Sequence, residues 1–85
     1  MGIYSGRQTV TTSAVALPAQ TLFNGVVITA LPANTGIIYV GPYNVTQANG
    51  YPLAAGASIS YTDVALSDIF IIGPTVTDVV AWTGN

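Results

Sequence analysis

Apolar and polar residues alternate here in short runs, each closed by Gly, Pro or Asn, and no run holds a helical period long enough to make a helix. Arg7–Leu17 is rich in Thr and Val and predicts a first strand, ended by Pro18 and preceded by a flexible lead, Met1–Gly6. Gln20–Phe23 reads as a short strand closed by the turn dipeptide Asn24-Gly25. Val26–Leu31 is a further strand, with Val26, Ile28 and Ala30 on one face and Val27, Thr29 and Leu31 on the other. Apolar residues on both faces predict that one side packs in a core and the other meets a neighbour or another layer.

Pro32–Gly36 is a turn, and Ile37–Val40 is the next strand, stopped by Gly41-Pro42. Asn49-Gly50 predicts a type I′ hairpin, because both residues tolerate the positive φ which that turn requires. Gly56 marks a second tight point before the strand Ala57–Tyr61. Thr62–Ser67 reads as a loop or a single helical turn, Asp68–Ile72 as a buried run, and Thr77–Thr83 as the last strand. Seven or eight short strands with turns at this spacing define an all-β chain, an antiparallel sandwich or small barrel.

At 85 residues the chain makes one domain, which on folding buries roughly 60 to 65% of the surface exposed when unfolded. Half of its residues are apolar and only 5% are charged, against about 25% in an average soluble domain. The surface is therefore built from Thr, Ser, Asn, Gln and apolar atoms. Neutral groups are cheaper to desolvate than charged ones, and little charge keeps copies apart, so the composition predicts a chain that lives in an assembly.

The same numbers exclude whole classes of partner. One Arg and no Lys cannot neutralise a run of phosphates, which leaves nucleic-acid binding and membrane-surface attachment without an electrostatic basis. Residues 1–7 lack the basic leader and apolar run of a secretion signal, and no apolar stretch has membrane-spanning length, so synthesis in a cytoplasm is the simplest expectation. Without cysteine there is neither a disulfide framework nor a thiolate metal site.

Catalysis fails on inventory, since the chain has no His, Cys, Lys or Glu to serve as base or activated nucleophile, and no enzyme or cofactor is expected. Asp63 and Asp68 flank one loop, but their spacing is not that of an EF-hand, and they read as solvated loop acids rather than a calcium site. Asn44-Val45-Thr46 fits the glycosylation acceptor pattern and, without a secretory signal, reads as a turn Asn beside a strand Thr. Phe70 is expected in the core from its apolar neighbours. Tyr43 and Tyr51 flank Asn49-Gly50, where side chains with an apolar body and polar tip suit a protein contact or, in second place, a sugar-stacking platform. The interface candidates are Tyr4, Arg7, Tyr43, Tyr51 and Trp82.

The ordered string Ala33-Asn34-Thr35-Gly36-Ile37-Ile38-Tyr39-Val40-Gly41, then Asn44-Val45-Thr46, Asn49-Gly50-Tyr51-Pro52-Leu53 and Ala55-Gly56-Ala57-Ser58-Ile59, resembles a group of small tailed-bacteriophage virion proteins. The resemblance extends from about Val26 to Trp82. It implies a compact, jelly-roll-like β-sandwich that decorates or cements a capsid, or forms a domain of a head fibre or tail appendage. Because the module stands without fibre-shaft sequence, the decoration reading leads. A tail, baseplate or fibre-associated subunit is the first alternative, and a carbohydrate-binding or receptor-binding module using Tyr43, Tyr51 and Trp82 the second. The implied partners are the major capsid protein or another virion protein, together with copies of the chain itself as a dimer or trimer. Residues 1–6, or as far as Thr12, form the candidate arm for strand addition to a neighbour, with an ordinary frayed first strand as the alternative.

Overall fold

The computed structural model describes residues 2–22 and 24–85 and contains eight strands and one short 3-10 turn. The strands are β1 (Tyr4–Thr9), β2 (Val15–Ala16), β3 (Val26–Ala30), β4 (Ile38–Gly41), β5 (Tyr51–Leu53), β6 (Ser58–Tyr61), β7 (Phe70–Ile72) and β8 (Val79–Gly84). They form two four-stranded antiparallel sheets, one ordered β1-β8-β3-β6 (the first sheet) and the other β2-β7-β4-β5 (the second).

These two orders follow from one nested pairing. β4 turns back on β5, β3 pairs with β6, β2 with β7 and β1 with β8, and successive pairs fall in alternate sheets. A ribbon of paired strands wound in this way across two layers is a jelly roll, so the expected sandwich is the fold. The stretch Asn34–Ser60 forms the bend of that ribbon, and the remaining strands pair outward from it.

The core lies between the sheets. Val26, Ile28 and Ala30 of β3, Ile38 and Val40 of β4, Ile71 of β7, and Val80 and Trp82 of β8 meet there with Val10, Leu17, Leu53, Leu66 and Ile69. The alternation across Val26–Leu31 thus assigns the inward face correctly, whereas its other face is open, with Val27 41% exposed.

Five expectations change. The run Arg7–Leu17 is not one strand: β1 ends at Thr9, and β2 is only Val15–Ala16. Between them the chain crosses from one sheet to the other, with Val10 buried and donating its N–H to Asp78 O at 2.9 Å. Gln20–Leu22 forms no strand, and Phe23 lies outside the described residues. The stretch Tyr4–Gly6, expected as part of a flexible lead, belongs to β1 and pairs with Trp82–Gly84.

Asn49-Gly50 is not a type I′ turn, because positive φ among the described residues occurs only at Gly25, Gly56 and Asp63. The Gly50 N–H instead closes a wider turn onto Thr46 O at 2.9 Å, and Asn49 Oδ1 accepts the Thr46 N–H at 2.7 Å. Phe70 is half-buried on the outer side of the second sheet, opposite Ala16 and Gly41, and not in the core. Three-residue Phe-Ile-Ile has no alternation to say which face is inward, and the layer chose Ile71.

Candidate functional site

The registers place two rows of four residues on the outer face of the first sheet. One row runs Ser5, Thr83, Val27, Ser60, and the next Arg7, Ala81, Thr29, Ser58. Strand alternation sends their neighbours Gly6, Trp82, Ile28 and Ile59 inward. The outer face therefore carries five hydroxyl side chains, two small apolar ones and a single guanidinium. Thr29 Oγ1 and Ser58 Oγ hydrogen-bond at 2.7 Å, which fixes one of the hydroxyl pairs. A shallow depression of about 340 Å³ crosses this face over Ser5, Arg7, Val27, Thr29 and Thr83.

The second sheet presents a different outer face. Ile72, Tyr39 and Pro52 form one row, with Ala16, Phe70 and Gly41 beside it. The loop between β4 and β5 folds back so that Val45, 3% exposed, lies over two glycines. A β-carbon at Gly41 or Gly50 would stand 2.7 or 2.9 Å from Val45 Cγ2, so this covering requires both to be bare backbone. Apolar surface that the loop covers here is not available to a partner.

The five interface candidates separate. Arg7 is exposed on the outer face of the first sheet, and Tyr4 lies at the start of β1, 42% exposed. Tyr43, in the turn closed by Val45 N–H to Pro42 O, is 76% exposed, and Tyr51, at the start of β5, is 57% exposed. Trp82 is 6% exposed and packed in the core, its indole Nε1 without a partner among the described residues, so it is a core side chain and not an exposed contact. Tyr51 lies near Tyr61, whose phenol is pushed above its ordinary value by burial and, secondarily, by the Tyr51 hydroxyl.

Sequence reasoning missed a buried polar cluster around Asp78 and Asn34. Asp78, 3% exposed, accepts the N–H groups of Thr35 at 2.9 Å and Gly36 at 2.8 Å, while the side-chain amide of the adjacent Asn34 binds the backbone of Val79. The signal was a lone acid next to Val79 and Val80 at the head of a strand, which demands a partner if buried. This cluster is fully engaged in holding the turn before β4 to the start of β8, and no side of it faces a ligand.

The described residues contain no cluster of three or more groups able to hold a metal, and no helix long and apolar enough to cross a membrane. Asp63 and Asp68 are both exposed. What the surface offers chemically is hydrogen bonding by neutral hydroxyls and van der Waals contact over a sheet face, with tyrosines at a separate place. Compared with protein-family models, curated protein sequences and solved structures, the chain matches none.

Proposed function

We propose that this chain is a structural virion protein, a capsid decoration or cement subunit that binds across junctions between capsid subunits and stabilises the head. The observation that carries the reading is the outer face of the first sheet: two registered rows of neutral, mostly hydroxyl-bearing side chains with one charge among them. Such a face loses little on desolvation and suits a permanent protein contact. A subunit that ties two neighbours together also needs a second contact region, and exposed Tyr43 and Tyr51 supply one away from that face. The resemblance of the segment from about Val26 to Trp82 to small phage virion proteins points the same way. The sugar-platform alternative loses one of its three rings with the burial of Trp82.

The experiment mixes purified protein with heads that lack it. Uptake should scale with the number of capsid-subunit junctions, and Val27→Glu, which sets a carboxylate in the middle of the outer face, should weaken binding by about tenfold or more. Its thermal midpoint should stay close to that of the parent chain. Heads that take up no protein, or particles carrying it only at the tail, overturn the reading.

A further inference from the structure

A jelly roll of two open sheets has four edges, and this chain blunts two of them. In the second sheet β2 has only two residues, and β5 is three residues with Pro52 at its centre. In the first sheet β6 has four residues, whereas β1 is a six-residue edge, Tyr4–Thr9, with no proline and no bulge in its register with β8. A long uncovered edge is a template for another strand.

The hydrogen bonds tell which groups of β1 are free. Val10 donates to Asp78 O across the ladder, so the even-numbered residues Tyr4, Gly6 and Gln8 turn their N–H and C=O towards β8. Leu31 N–H to Val79 O and Ala30 N–H to Ala57 O keep the same alternation across the rest of the sheet. Ser5, Arg7 and Thr9 consequently present theirs outward, and among the described residues only Thr9 O of these is taken, by Gln8 Nε2 at 3.1 Å.

We infer that β1 pairs antiparallel with β1 of a second copy about a twofold axis at Gly6, joining two first sheets into one eight-stranded sheet. The register follows from geometry. Opposed residues in an antiparallel pair lie on the same face, so keeping both cores on one side requires partners of equal parity, and the axis must pass through a residue. An axis at Arg7 sets two guanidinium groups directly opposite each other, which is repulsive. An axis at Gly6 sets Arg7 opposite neutral Ser5, and those residues exchange N–H and C=O bonds twice over. It also sets Tyr4 opposite Gln8 and brings the bare Gly6 backbones together at the centre. Axes at Gly6 and Arg7 are the two that pair most of β1, so Arg7 selects between them, and the low net charge of −2 adds little repulsion between copies. Pairing β1 with β6 of another copy would be heterologous and would extend into rings or filaments. This pairing stands apart from the virion reading, since a dimer that binds no head overturns only the latter.

The chain has no cysteine, so introduced thiols report alone. Oxidising an equal mixture of Ser5→Cys and Arg7→Cys should give a mixed disulfide dimer, and a mixture of Ser5→Cys and Thr9→Cys, which tests the Arg7-centred register, should not. Arg7→Pro removes an outward N–H without touching the β8 ladder, and should halve the mass measured by light scattering while the circular dichroism spectrum keeps its strand signature. A parent chain that stays monomeric across a concentration series overturns the inference. So does a dimer that survives Arg7→Pro, a cross-link only in the Ser5 and Thr9 mixture, or open-ended filaments.

Discussion

Asn34 holds Val79 by both ends of its side-chain amide: Nδ2 donates to the Val79 carbonyl at 2.9 Å, and Oδ1 accepts the Val79 N–H at 3.0 Å. In an ordinary ladder that N–H would go to Leu31 O, but Leu31 O is occupied by the Asn34 N–H, which closes the turn at 3.1 Å. The Asn side chain therefore supplies the last rung between β3 and β8. Asn34→Ala leaves the Val79 N–H without its acceptor and should cost about 2 kcal/mol, measured as a lower urea midpoint at unchanged m-value.

Next to it, the Asp78 carboxylate gathers two backbone N–H groups of the same turn. Asp78→Ala should cost about 3 kcal/mol, because it leaves buried donors unpaired, and Asp78→Asn should recover part of this by keeping one acceptor oxygen. Chemical denaturation of the two variants beside the parent chain measures the difference.

Gly6 faces the indole of Trp82, and a β-carbon there would lie 2.9 Å from Cζ2 and 3.0 Å from Cε2. Gly6→Ala must displace the ring or β1, and should cost about 1 to 3 kcal/mol as overpacking does. Since Trp82 is the only tryptophan, a shift in its fluorescence should accompany the loss.

Tyr61 gives a pH dependence with a definite sign. Burial raises its folded pKa above the ordinary phenol value of 10.0, with Tyr51 adding to the effect, so its contribution is fully present below that pH. Stability should fall as pH rises through the folded value, when the phenolate must form in a desolvated site. Tyr61→Phe should flatten this alkaline decline in unfolding midpoint.

Much of the architecture was legible locally. Short runs between Gly and Pro gave the strands, and Val26–Leu31 showed its inward face by alternation alone. What stayed hidden was set by distance. Nothing in Arg7–Leu17 marks where the ribbon changes sheets, because Thr and Val suit both, and the break falls where Val10 meets Asp78. Asn49-Gly50 carries hairpin chemistry, yet the burial of Val45 pulls that loop into a wider turn. Trp82 looked available because aromatic residues serve interfaces and cores alike, and its row, Gly6 to Ile59, decides between the two. The Asn34 and Asp78 cluster joins residues 45 and 42 positions apart, which no local pattern can signal.

The nested ribbon also sets an order of events during synthesis. β8, made after the other seven strands of the sandwich, is a central strand of its sheet and the partner of both β1 and β3. On a ribosome, β1 emerges before the strands it joins and waits, with both of its edges bare, until β8 has followed. The strand with one side open in the finished fold is thus also the one that waits longest for its partner.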